Sequence, residues 1–470
     1  MPSASQTIAA FAADLGFDAL PPAVVAKVKL HVLDLLGVAL AASSMDFAAA
    51  VAGVAEGMGG PPQSTAIGVR ARMPAPWAAL VNGTLAHGLD YDDTHAESVV
   101  HVSAAAVPAA LAACEAANGD GRGFLTALAL GMEVSVRLGL VAPGAFHDRG
   151  FHPTGVCGAF GAALIAGKLA GLGSAQLADA LGIAGSQAAG LMEFLTDGTS
   201  VKRVHPGWAA HSGLVAARLA AAGVTGPRNV LDGRFGLYRS HLGDGEADLS
   251  VLTNALGTCW NLLDISLKPY PCCHMNHAFI DCAAALQSQF AVAPEAIEQV
   301  ECFIHPREVP VVCEPAPTKR LPQNDYDAKF SLPYAVASQF VRGHVAISDF
   351  SDSAIREPAV RALAGRVVYR ADSTNEYPRY FPGWMRVRLR DGRVLEHREP
   401  VNRGHAERPL PEDTVRDKFR HNAALAIPSA AAESLITAAA SIERQPDLSA
   451  LTASLRTIER RADLEGHSID

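Results

Sequence analysis

Trp384-Met-Arg-Val-Arg-Leu-Arg390 sets apolar side chains at every second place between arginines, and Asp391-Gly392 then leads into Arg-Val-Leu-Glu-His397. A period of two is that of a half-buried strand, and Asp-Gly accepts the positive φ that a tight turn demands, so this stretch predicts a β-hairpin. Upstream, Val300 to His305 and Val367 to Arg370 are short runs rich in Val, Phe, Ile and Tyr, as strands tend to be. Two helical patterns lie between these runs. Ser331 is placed to cap one, with Gly343 beyond its end, and Pro358 sits near the first turn of the other. Residues 266–403 therefore read as a small α+β unit.

The pattern outside that unit is different. From residue 5 to about residue 260, Ala and Leu recur at three- and four-residue spacing, broken by Gly and Pro. Pro22 to Ala42, Ala75 to Asp93, Val107 to Ala117, Ala175 to Leu191 and Ala209 to Ala222 all read as helices, the last stopped by Gly223. The tail from Pro411 returns to helix. The expected fold is mainly α: a large all-helical domain, 1–265 and 404–470, with a smaller α+β lid domain, 266–403, inserted into it.

Composition agrees with this division. A chain of 470 residues exceeds the size at which single cores stop growing, and 49% hydrophobic with only 6% aromatic content means that Ala, Leu and Val fill closely packed helices. A net charge of −9 argues against a nucleic-acid binder, which requires a basic face, and leaves an anionic small substrate open, because local cations decide that. No basic residue precedes the first apolar stretch, and the best spanning candidate, Val156 to Gly173, is Gly-rich and interrupted by Lys168. The expectation is a cytoplasmic protein with no membrane or nucleic-acid partner. Its eight cysteines show no spaced framework and are expected reduced.

Polar residues cluster in five places. Asn82-Gly-Thr-Leu-Ala-His87-Gly-Leu-Asp90-Tyr-Asp92-Asp93-Thr94-His95 leads to His101-Val-Ser103; on a continued helix, His87, Asp90 and Thr94 would share one face. Spacing alone fits a capped helix end with solvated acids, a catalytic face, or a metal site of Asp and His. Gly150-Phe-His152-Pro-Thr154-Gly155 puts His152 ahead of a helix N-terminus, where free amides favour an anion; Gly155, Gly158 and Gly161 suit close helix packing, with no strand before them to make a dinucleotide loop. Thr199-Ser-Val-Lys202-Arg203-Val-His205 gathers three basic groups beside apolar helices, a carboxylate trap or a solvated loop. Lys268-Pro-Tyr-Pro-Cys272-Cys273-His274-Met-Asn-His277 stands at the domain junction and lacks the paired spacing of a zinc site. Ala328-Lys329-Phe-Ser331-Leu-Pro-Tyr334 adds a cation and a phenol.

Taken in order, NGTLAHGLDYDD, GFHPTG, VKRVHPGWAAH, KPYPCCHMNHAFID and AKFSLPYAVA resemble the signature segments of the MmgE/PrpD family, and GHAERPLPEDTVRDKF is similar to its C-terminal block. That resemblance implies a homodimeric enzyme working without metal or other cofactor at a site between the two domains. The family's activities include 2-methylcitrate dehydration, cis-aconitate decarboxylation and iminodisuccinate epimerisation, which share a carbanion made or quenched beside a carboxylate. By motif position it implies His101 and His152 as the base and the acid, in either order, Asp90 orienting a partner, and Lys202 neutralising charge. Thr94, Arg203, Lys268, Cys273, His277 and Tyr334 would bind substrate.

The sequence departs from the family in two places. His-Val-Ser at 101–103 replaces a common His-Pro-Ser, with a longer loop before it, and Cys273 stands where the decarboxylase has His. These departures disfavour decarboxylation of cis-aconitate. The expected activity is dehydration of a hydroxylated di- or tricarboxylate such as 2-methylcitrate; the alternatives are an epimerase or isomerase of a dicarboxylate and a non-catalytic carboxylate-binding protein.

Overall fold

The Ala/Leu stripes become the long helices Pro22–Ser43, Ala75–His87, Val102–Ala117, Gly121–Leu140, Pro153–Leu169 and Val204–Ala221 in a computed structural model that describes residues 2–456 and 458. The chain is mainly α. The first residue and most of the last fourteen assigned above to the helical domain lie outside the described residues.

Small side chains let these helices approach closely. A Cβ on Gly161 would lie 2.2 Å from Ser135 Oγ and 2.7 Å from the Gly131 carbonyl, so Pro153–Leu169 packs tightly on Gly121–Leu140. A Cβ on Gly83 would lie 2.6 Å from Gly207 Cα. That contact brings helix Ala75–His87 and helix Val204–Ala221 together backbone to backbone, and it sets Lys202 beside the turn that follows His87.

Two large apolar cores form among the described residues. One runs from Ile8 to Ile265 and takes in Phe419, Leu435 and Leu451 from the tail; the other collects Cys272 to Leu395 with Ala96, Met192 and Phe194. The second core lies against a four-stranded sheet ordered Val367–Ala371, Ile297–Ile304, Gly383–Leu389, Val394–Glu399. The hairpin is present, with Val387 opposite Leu395, and Gly392 turns at φ 89°. Met385, Val387 and Leu389 are buried while Arg386 and Arg388 pair with glutamates on the other face. The first two strands pair in parallel, Val300 opposite Val367. Ser331 caps Leu332–Arg342, and Gly343 follows it at φ 77°.

Two helices end earlier than their patterns predict. The helix from Ala75 stops at His87, and Asp90 takes φ 52°, from which its carboxylate reaches two lysines; His87, Asp90 and Thr94 thus share no helical face. Ser174–Gly185 also falls short of Leu191, and beyond it Gly190, at φ 135°, accepts the His152 N–H at 3.0 Å. Among the described residues, Gly121–Leu140 is the one single helix long and apolar enough to cross a membrane, rather than Val156 to Gly173. It lies in the core, where its Arg137 pairs with Glu133 at 2.6 Å.

Candidate active site

Three helices start at one cavity. His101 precedes Val102–Ala117, His152 precedes Pro153–Leu169, and Lys202 lies in the turn Ser200–Arg203 that feeds Val204–Ala221. Helix N-termini expose unpaired amides and a partial positive charge, so this end of the bundle favours an anion. The cavity is lined from the helical part by Asp90, Thr94, Val99, His101, His147, His152, Met192 and Lys202. Cys273, His274, Met275, Val311, Phe330 and Phe381 complete it from the smaller unit.

A two-residue ribbon fixes the loop that carries Asp90 and Asp92. Thr94–His95 pairs antiparallel with Ile265–Ser266, which places Lys268 beside Asp90. Lys202 Nζ donates to Asp90 Oδ2 at 2.8 Å, and Lys268 Nζ donates to Asp90 Oδ1 and, at 2.8 Å, to its carbonyl. Burial opposes ionisation of Asp90, but the two lysines outweigh it and hold the carboxyl well below its usual range. The trio carries a net positive charge. Lys418 anchors it from the tail, donating to the carbonyls of Tyr91 at 3.0 Å and Lys268 at 2.9 Å while pairing with Asp34 at 2.8 Å.

The histidines divide by tautomer. His101 Nδ1 faces the Asp93 carbonyl at 3.0 Å, the Thr94 hydroxyl at 3.2 Å and the Asp92 carboxylate at 3.4 Å. Carbonyl and carboxylate oxygens only accept, so Nδ1 carries the hydrogen and Nε2 keeps a lone pair. Burial lowers the His101 pKa; Asp92 works against this, and Lys268 and Lys202 add to it. Asp92 also accepts from His87 Nδ1 at 2.8 Å, and burial holds His87 down to about 3. His152 Nδ1 meets His205 Nδ1 at 3.1 Å, leaving a buried Nε2 with no protein partner. The rings of His101 and His152 lie 5.9 Å apart with His87 close to both.

Four of the ten residues marked from sequence stand off the cavity. Arg203 donates from Nε to the Gly88 carbonyl at 2.9 Å, pairs with Asp325 and lies between Phe47 and Tyr326 at 4.6 and 4.4 Å, so it joins the two units instead of facing a ligand. Lys268 stands behind Asp90. His277 donates from Nε2 to the Cys272 carbonyl at 3.1 Å, and the Tyr334 hydroxyl donates to the Asp349 carbonyl inside the second core. Conversely, His147 and His274 also line the cavity, although neither carries a motif role in the sequence. Cys273 does line it, its thiol pushed by burial up to about 11.

Among the described residues, two groups of ligand-type atoms each lie within 4.8 Å of one another: His87, His101 and His152, and Asp90, Asp92 and His101. Asp90 is already saturated by lysines. The three rings each have Nδ1 held by another group, which leaves their Nε2 atoms as the free positions.

The protein resembles known enzymes along most of its length. Residues 6–250 match the MmgE/PrpD N-terminal domain and residues 270–444 the MmgE/PrpD C-terminal domain. The chain belongs to the MmgE/PrpD family. Cis-aconitate decarboxylase of Homo sapiens is 30% identical over 396 residues, covering 82% of this chain and 80% of that enzyme. The Mus musculus enzyme of the same name is 29% identical over 82% of this chain and 79% of its own length; that of Aspergillus terreus is 27% identical over 87% of each. These relatives are carboxy-lyases, so this MmgE/PrpD chain is similar to lyases, and to decarboxylases in particular despite Cys273.

Proposed function

We propose that the protein is a lyase acting on a small di- or tricarboxylate, with His101 as general base, His152 as the acid and Lys202 stabilising negative charge beside the reacting carbon. The supporting observation is the His101 tautomer: three oxygens hold the hydrogen on Nδ1, leaving the Nε2 lone pair for a proton on the ligand, within a cavity that Lys202 also lines. A proton alpha to a carboxylate is weakly acidic, and removing it builds enediolate charge that a desolvated ammonium stabilises. Loss of hydroxide from the adjacent carbon, with His152 giving the proton, then completes dehydration of a 2-methylcitrate-like substrate. In this reading no cofactor takes part and the protein is a homodimer in solution.

A second reading is favoured by the relatives: decarboxylation of cis-aconitate, in which departure of carbon dioxide makes the same carbanion and a histidine returns a proton.

Incubation with di- and tricarboxylates in D2O, followed by NMR, tests both. C–H exchange or water loss that survives EDTA and vanishes in His101→Ala and His152→Ala supports the dehydratase reading. Carbon dioxide released from cis-aconitate supports the second, and inverted configuration without net loss points to an epimerase. Activity abolished by chelator overturns the metal-free claim. Unchanged affinity in Lys202→Ala removes that lysine from the site.

A further inference from the structure

His274 opens the short turn His274–Asn276 directly after Cys273, lines the cavity and is almost fully buried. Its Nε2 lies 3.0 Å from the side-chain nitrogen of Asn402, which is itself fully buried. The orientation of that amide is fixed by its other end, because Asn402 Oδ1 accepts the Phe381 backbone N–H at 3.0 Å. A peptide N–H can only donate, so the oxygen must face Phe381 and the amino group must face His274. An amino group likewise only donates, so His274 Nε2 receives the bond and carries no hydrogen. Burial, with His277 and Lys268 adding to it, drives the His274 pKa well below its ordinary value, so the ring is neutral and its single hydrogen is on Nδ1. That Nδ1 is buried and has no protein partner. A buried donor without an acceptor is costly, which is reason to look for a ligand that supplies one.

We propose that His274 is a substrate-binding residue whose Nδ1–H donates to a carboxylate oxygen of the bound polycarboxylate, and that Asn402 is the positioning residue that keeps the hydrogen on that nitrogen. The proposal rests on the polycarboxylate reading above and names the group that selects the second carboxylate. The cavity wall around His274 is otherwise formed by the weakly polar Cys273 and by Met275, Val311, Phe330 and Phe381, so among the described residues the imidazole is the strong directional donor on that wall. Lys202, from the helical part, takes one carboxylate; His274, from the smaller unit, takes another. A monocarboxylate satisfies only one of the two.

The test uses the full-length protein with 15N-labelled histidine and propane-1,2,3-tricarboxylate as the probe. The His274 nitrogens of the free protein show the Nδ1–H tautomer, and Asn402→Ala abolishes that preference. Calorimetric affinity for the probe falls roughly 10- to 100-fold in His274→Leu, as expected for a hydrogen bond to a charged group. His274→Asn, which keeps an N–H close to the same place, recovers part of it. Asn402→Ala weakens binding less, and His274→Leu with Asn402→Ala binds no worse than His274→Leu alone, because both act through one hydrogen. An Nε2–H tautomer in the unsubstituted protein, or unchanged affinity in both His274 variants, overturns the proposal and leaves the lyase reading standing. Failure of the unsubstituted protein to bind any di- or tricarboxylate overturns the polycarboxylate reading and this one with it.

Discussion

Lys202 reaches Asp90 at 2.8 Å between two buried side chains, and Lys268 closes on the other oxygen of the same carboxylate. One anion therefore holds two buried cations. Asp90→Asn leaves both lysines without a counter-charge and is expected to cost about 3 to 5 kcal/mol of stability, the range for breaking a buried pair. Adding Lys268→Met should recover part of that loss. Urea denaturation midpoints measure both, and an Asp90→Asn midpoint equal to that of the unsubstituted protein would show that the lysines find other partners.

The His101 tautomer predicts a pH profile. The base must be neutral, and because burial places its pKa below the ordinary 6.5, the acid limb of kcat/KM should fall below pH 6.5. Asp92 is an anion that raises this pKa, so Asp92→Asn should move the limb to lower pH. It should also slow C–H exchange by about 100-fold or more, since the carboxylate no longer favours the hydrogen on Nδ1. A limb that moves upward instead would remove His101 as the base.

Burial keeps His87, His95 and His147 neutral, with pKa values held down to about 3. Each is lower folded than unfolded, so between pH 6.5 and 3 the unfolded chain binds more protons and stability is lost as pH falls. The slope is at most about 1.4 kcal/mol per pH unit for each group. Thermal unfolding of His95→Gln, a position away from the cavity, should depend less steeply on pH across this window. Equal slopes would contradict the assignment.

Arg203 looks from sequence like a carboxylate clamp, and the structure makes it a tie between units. Arg203→Met should leave tricarboxylate affinity unchanged and lower stability by about 1 to 3 kcal/mol, the cost of orphaned hydrogen-bond partners. Calorimetry and thermal unfolding together decide this; loss of affinity without loss of stability would restore Arg203 to the binding site.

Much of this was legible in the sequence for reasons that are local. The hairpin at Trp384 follows from a two-residue period and an Asp-Gly turn, and the long helices from Ala/Leu spacing. His152 could be placed ahead of a helix because Pro153 suits the first helical position. The partners of a buried cation are set by tertiary packing, so no spacing distinguished Lys202, which lines the cavity, from Arg203, its neighbour, which does not. His274 sits within the quoted junction segment, and the signal was there in a ring beside Cys273. Its hydrogen, however, is placed by Asn402, 128 positions away. His147 lies in a four-residue helix with no periodicity to mark it.

The contact of Gly83 with Gly207 leaves no room for a Cβ at either position, and it locks together the helix that leads to Asp90 and the helix that follows Lys202. Divergence within this scaffold is accordingly unequal. The proton-transfer half tolerates little drift, while Cys273, His274, Met275, Val311 and Phe381, on the smaller unit, can be exchanged without moving it. A lineage that acquires a new carboxylate to work on has that second wall to rewrite.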